Sequence, residues 1–341
     1  MKYLSEHYSK TQIKIKYTYI CGFAFLFFSA IAGIMLGSTP LSVQEIWQAI
    51  LNGADSSPGA RIFAYVRLPR VVGSVVCGAA LAVAGAVIQN VLANKLASPG
   101  IIGVNSGAGL AVTLCTVIGA YGSWQVSVSA FVGAFASVML VSLASHKLRA
   151  SRSTVILFGV AMNSFLGAIS DTLITFVPDA GVMSNGFKVG EFSAATLHSL
   201  IAPSVLIAIG VVALLTLSVE LDVLCLGEDS AKALGMNTHL MQTIFLLFAA
   251  LLAGCAVSVA GLLSFVGLIV PHAVRRFSGG KSFHLILLCA IFGGGFVSLC
   301  DTLARTVFSP YEIPVGIIMS FLGAPFFVAV LINGKGGHHN D

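Results

Sequence analysis

Few residues in this chain are equipped for chemistry, and the densest group is Leu226-Gly-Glu-Asp-Ser-Ala-Lys-Ala-Leu-Gly-Met236. Glu228, Asp229 and Ser230 carry acceptors suited to a helix N-terminus, where free N–H groups and the dipole favour negative charge. Ala231, Lys232, Ala233 and Leu234 are good helix formers, and Gly235 is a natural residue just past a helix end. The stretch predicts a two-turn helix of roughly 10 Å at 1.5 Å per residue, too short to cross a membrane. Gly227 and Gly235 permit sharp entry and exit, Ala231 and Leu234 offer a small apolar face, and Glu228 and Asp229 offer carboxylates. That is either a docking element or an ordinary surface loop.

The remaining polar residues sit in or beside long apolar runs. Arg67, Arg70 and Arg305 stand at run ends, where guanidiniums either pair bidentately with a partner's carboxylates or snorkel to water as anchors. Asp301 lies four residues before Arg305, spacing that allows a local ion pair. Gln89, Asn90, Asn105, Asn163 and Asp171 either face a water-filled cavity or satisfy neighbouring helix backbones. Ser153 or Thr154 reads as the N-cap of the run that follows, and His272, after Pro271, as a packed histidine. No catalytic set is present: the chain lacks HExxH, paired carboxylates within apolar runs, and the GxxxxGK[ST] of a nucleotide site. The seven cysteines form no CxxC pair and read as small packed residues.

The elements that must position these residues follow from composition. Of the 341 residues, 57% are hydrophobic and 9% charged, against about 25% charged in a soluble domain; this is an all-α polytopic membrane protein. The net charge of +5 does not point to nucleic acid, because the basic residues flank apolar runs. At roughly 20 apolar residues per span, spans are expected near 19–36, 69–92, 101–120, 125–146, 154–177, 196–218, 241–260, 262–275, 284–304 and 314–332. Ten spans put both termini on one side. Thirteen of the 18 Lys and Arg fall on that side, which the positive-inside rule makes cytoplasmic. The expected organisation is a cytoplasmic tail over 1–18, one transmembrane domain over 19–332 containing the helix at about 226–236, and a cytoplasmic tail over 333–341. Val83-Ala-Gly-Ala-Val-Ile-Gln also echoes Val259-Ala-Gly-Leu-Leu-Ser-Phe on an oppositely directed span, as an inverted repeat would.

Several motifs occur in a telling order: Arg67-Leu-Pro-Arg70 with the glycine-rich run to Gln89, then Asn94-Lys-Leu-Ala-Ser-Pro-Gly-Ile-Ile-Gly-Val-Asn105, then Leu226–Met236. Gly261-Leu-Leu-Ser-Phe-Val-Gly-Leu-Ile-Val-Pro-His-Ala-Val-Arg275 follows, and then Glu312-Ile-Pro-Val-Gly316 with Gly323-Ala-Pro325. Together they resemble the permease subunits of ABC importers for iron–siderophores, haem and vitamin B12. Two departures stand out: Lys95 where the family has Pro, and Phe187-Lys-Val-Gly-Glu191 where it has a Trp followed by Gly-Ser.

The resemblance implies roles for these residues. Gly227, Glu228, Asp229, Ala231, Leu234 and Gly235 would form the coupling helix that docks on an ATPase subunit. Arg67, Arg70 and Arg305 would dock an extracytoplasmic binding protein, and Ser153 and Thr154 would form the cytoplasmic gate. Gln89, Asn90, Asn105 and Asn163 would be candidates to line the path. It also implies a second permease subunit, identical or paralogous, two ABC ATPase subunits that use ATP and Mg, and no cofactor or metal held by this chain itself. The location implied is a bacterial cytoplasmic membrane, with a ferric siderophore as cargo and haem or cobalamin as alternatives. A competing class, an ion-coupled secondary transporter, would need acidic groups at mid-membrane, whereas Asp171 and Asp301 fall nearer the outer surface.

Overall fold

Backbone polar groups in an apolar setting find partners only within a helix or a closed barrel, and each apolar run is helical here. The structure, a computed structural model, describes residues 2–39, 41–147 and 151–335. The chain begins with α1 (Lys2–Met35), α2 (Val43–Asn52) and α3 (Pro58–Ile62). A π-helical turn, Phe63–Arg67, joins α3 to α4 (Leu68–Val91). Then come α5 (Val104–Val117), α6 (Ser123–Lys147), α7 (Arg152–Phe176), α8 (Pro178–Val189) and α9 (Leu197–Thr216). The rest is α10 (Ser218–Cys225), α11 (Glu228–Ala233), α12 (Thr238–Ala260), α13 (Val266–Arg275), α14 (Ser282–Thr306) and α15 (Val315–Lys335).

Seven helical stretches among the described residues are long and apolar enough to span a bilayer, and three shorter apolar helices, in α5, α13 and α15, accompany them. The protein is therefore a multi-pass, all-helical membrane protein. The shortened members have local causes. Ser98-Pro-Gly100 cannot continue a helix, so residues 92–103 form a loop and α5 starts only after Gly103, at φ +100°. Gly261, at φ +69°, ends α12, and Phe265, also at positive φ, delays α13 to Val266. Helix α1 runs unbroken through residue 18, where the tail is expected to end, and its apolar stretch begins at Ile13. Residues 336–341 of the expected C-terminal tail lie outside the described residues.

Helix α4 is the core of the fold. It packs against α14, α12 and α13, and 78% of its apolar window is buried, against 17% for α7. A helix enclosed on all sides needs small residues wherever a neighbouring backbone must come close. At Gly85 a Cβ would lie 2.0 Å from the carbonyl oxygen of Gly267, so only glycine fits. Gly85 thus lies inside α4, whereas Gly261 terminates α12.

Gly85→Val should force α4 and α13 apart, costing about 1–3 kcal/mol or more. Gly109→Ala, where a Cβ meets open space, should leave stability within about 0.5 kcal/mol. Thermal unfolding of the two detergent-purified variants checks this contrast.

Candidate translocation and coupling sites

The three arginines expected on an outer rim are buried instead. Arg67, Arg70 and Arg305 are 3%, 5% and 1% exposed. Arg70 reaches Glu312 at 2.6 Å and Asp301 at 3.1 Å. Arg305 pairs with Asp301 at 3.0 Å and donates to the carbonyl of Gly33 at 3.0 Å. Arg67 donates to the carbonyl of Thr39 at 2.7 Å and to that of Leu36. Three cations thus face two carboxylates, and carbonyls at the end of α1 and just beyond it accept the remaining hydrogen bonds. A helix C-terminus leaves carbonyls without partners and favours positive charge, so the cluster fastens α1 to α4 and α14. In this structure these guanidiniums are paired within the chain and are not displayed on an exposed rim. Burial raises the Glu312 carboxyl, but hydrogen bonds from Arg70 and Ser38, with the charges of Arg70 and Arg305, hold it below its ordinary value.

Two of the candidate path-lining amides are committed in the same way. Arg275 donates to Asn90 at 2.7 Å and Gln89 at 3.0 Å. Gln89 in turn donates to the carbonyl of Gly267 and Asn90 to Ser282, at 3.2 and 3.3 Å. Both are buried and lock the end of α4 to α13 and α14. Arg275 was not singled out from the sequence. Asn163, on α7, donates to the carbonyls of Gly100 and Ile101 at 2.8 and 3.3 Å and accepts from Ser106 at 2.6 Å. It satisfies broken backbone in the 92–103 loop. Asn105 lines a cavity of about 280 Å³ with Leu96, Ser98, Phe265 and Phe327.

A larger cavity of about 590 Å³ is walled by Val189, Leu262, Phe321 and Pro325, with Lys188, Ser264 and Ser320 as its polar groups. Lys188 lies 3.9 Å from Asp171. Beside it three chain segments are tied by backbone bonds: Leu262 to Phe187 (2.9 Å), Glu191 to Ala260 (2.8 Å) and Gly316 to Gly190 (3.2 Å). The departure at residues 187–191 therefore sits where the Gly261 and Glu312–Gly316 motifs converge. His272 is packed edge-on against Phe326.

Helix α11 begins and ends as its residues require. Gly227 enters at φ +103° and Gly235 leaves at φ +83°. The N–H groups of Gly235 and Met236 bond to the carbonyls of Lys232 and Ala231, at 2.9 and 3.0 Å, which is a Schellman end. Ala231 is fully buried within the chain, correcting its place on a partner-facing surface; Leu234 is 66% exposed and Leu226 beside it 64%. Glu228 is also engaged internally, with Gln242 at 3.3 Å, Lys232 at 3.5 Å and Arg152 at 3.8 Å. Burial raises its carboxyl, yet Gln242, Lys232 and Arg152 hold it below its ordinary value. Asp229 is exposed. Helix α7 is capped by Ser151, which accepts from the Thr154 N–H at 3.3 Å, not by Ser153 or Thr154. Ser153 is exposed and heads an uncovered face of α7 that continues through Leu157, Val160, Ser164, Ala168 and Asp171.

A glycine-packed bundle of membrane helices with cavities between them and a short structured helix in a connecting loop defines the transmembrane part of a transporter. Residues 25–333 match the FecCD transport family, and the chain belongs to that family of ABC importer permeases for iron chelates, haem or vitamin B12. It is a permease component, with ATP hydrolysis residing on a separate subunit. The ABC transporter permease protein YvrB of Bacillus subtilis is 38% identical over 94% of each chain. The iron-uptake system permease protein FeuB of the same organism is 32% identical over 92% of this chain and 94% of that one. A metal-chelate type ABC transporter solved in an inward-facing conformation superposes with a TM-score of 0.82 at 28% identity, covering 92% of this chain and 98% of that one.

Asp301→Ala leaves Arg70 and Arg305 without their shared buried counter-charge and should cost about 3–5 kcal/mol, read as a lowered unfolding temperature. Because the folded Glu312 carboxyl is depressed, its stabilising contribution is present above the ordinary carboxylate pKa. It should be lost as pH falls through the depressed value. Glu312→Gln should flatten that part of the stability-versus-pH curve.

Proposed function

We propose that this chain is the membrane permease of an ATP-driven importer that carries a ferric siderophore from an extracytoplasmic binding protein into the cytoplasm. The observation that carries the cargo reading is the cavity of about 590 Å³, within the range of sites for compact organic ligands. Its walls are mainly apolar with a few polar groups. Such a lining suits a chelate whose ligand shell conceals its metal.

The uncovered face of α7 argues for a second permease copy, identical or paralogous, across which a path would form. Ser153, at the exposed head of that face, and Thr154 beside it are assigned to the cytoplasmic gate, and Asn105 to the path. Gly227, Glu228, Asp229, Leu234 and Gly235, with Ala231 anchoring the helix and the exposed Leu226 beside it, are assigned to coupling with one of two ATPase subunits, which use ATP and Mg. The binding protein is assigned to the outer face, the side on which Arg67, Arg70 and Arg305 cluster with Asp301 and Glu312. A ten-span topology with cytoplasmic termini in a bacterial cytoplasmic membrane accords with the charge asymmetry and with the ten apolar helices among the described residues, and an inverted repeat is proposed with it. On this reading residues 19–332 form the transmembrane domain and 1–18 and 333–341 face the cytoplasm. Haem and cobalamin are the second reading, since the family includes permeases for both.

Uptake of a ⁵⁵Fe-labelled ferric trihydroxamate, haemin and cobalamin by a deletion strain and its complemented parent separates these readings. Restoration of the ferric trihydroxamate alone is expected, and restoration of haemin or cobalamin alone overturns the cargo assignment. Leu234→Asp should cut uptake at least about tenfold, a coupling loss of about 1.4 kcal/mol, while the membrane level of the protein is unchanged. Wild-type uptake would remove α11 from the coupling role.

A further inference from the structure

Helix α7, which carries the gate residues, packs on α5, α6 and α8, while α11 packs on α10 and α12. Among the described residues, Arg152 reaches from the first turn of α7 to the α11 region. Its Nη2 donates to the carbonyl of Leu224 at 3.2 Å, at the end of α10. Its Nε lies 3.8 Å from Glu228 Oε1, in the first turn of α11. That Nε is buried and has no hydrogen-bond partner among the described residues, so the contact with Glu228 is an ion pair that stops short of a hydrogen bond. Charge-assisted N–H···O bonds close at about 2.7–2.9 Å, leaving a gap of roughly 1 Å. Glu228 Oε1 meanwhile accepts from Gln242 of α12 at 3.3 Å, and its Oε2 faces Lys232 at 3.5 Å. The same carboxylate is thus held by α12 and by its own helix while Arg152 waits beside it.

We infer that Arg152 is a positioning residue that transmits displacement of α11 to the gate end of α7, through an Nε–Glu228 hydrogen bond that is open here and closes in the alternate state. The inference deepens the coupling role proposed for α11 and rests on it. Buried donors are rarely left unpaired, so a displacement that brings Glu228 within reach is favoured on the α7 side. Movement of α11 toward α7 then draws on Ser153, the next residue. An element with two discrete hydrogen-bonded arrangements is what a switching transition requires.

The test is a double-mutant cycle in proteoliposomes of the complete permease–ATPase complex with its binding protein. Transport of ⁵⁵Fe-ferric trihydroxamate, haemin and cobalamin is measured against ATP hydrolysed. Arg152→Met and Glu228→Gln should each lower the amount imported per ATP at least about fivefold, the lower edge of ordinary coupling effects. The double variant should be no worse than the poorer single, and Arg152→Lys should recover part of the loss. Multiplicative losses in the double variant, or singles that import per ATP as the wild type does, overturn the bridge. If Arg152→Met fails to accumulate, Glu228→Gln against the Arg152→Lys/Glu228→Gln pair gives the same comparison. Wild-type complex that imports none of the three probes overturns the importer reading and the bridge with it. Import that needs no ATPase overturns the role of α11 itself.

Discussion

Close approach of backbones around α4 is the constraint from which the rest of this structure follows. Between membrane helices, burial of apolar surface gains little over contact with lipid, so packing at short range has to supply the cohesion. Gly85 against Gly267 brings α4 and α13 within reach of each other, and with them the amides of Gln89 and Asn90 within reach of Arg275. A longer side chain at Gly85 would separate the helices and break that clamp as well. The clamp at the C-terminal end of α4 therefore depends on a small residue farther back along the helix.

A second rule governs the places where helices break. Irregular backbone at membrane depth persists only if protein groups satisfy it. Asn163 does this for Gly100 and Ile101, Gln89 for Gly267, and Arg67 and Arg305 for the end of α1. Most of the conspicuous polar side chains within or beside the apolar runs are spent on this task. What stays uncommitted is correspondingly informative: the cavity beside Lys188, the exposed face of α7, and the outer surface of α11.

Hydropathy and charge made the apolar helices legible, since length and composition alone decide them, and the ends of α11 could be read from Gly227 and Gly235. Helix α8 was harder. Its glycines suggest a loop, although Pro178 and Asp179 at its start and Lys188 at its end are ordinary helix signals. The arginines could not be resolved from sequence, because an end-of-run position says nothing about what covers it. Arg70 meets Glu312 and Asp301 only through the path of the chain around α4, and carbonyls at the end of α1 have no signature at all. Ala231 was misread for a related reason. A two-turn helix has too few residues for its periodicity to tell an inner face from an outer one.

The Schellman end of α11 also bears on how a neighbouring protein would experience it. Six residues form no lasting helix in isolation, because nucleation costs more than so few bonds return. Here bonds at the C-terminal end, the Ala231 anchor and the Glu228 contacts hold the shape in advance. A protein gripping Leu234 would lose little affinity to ordering the loop. It would also meet a stiff handle, so that a push delivered there is carried into the bundle instead of being dissipated in a flexible connection.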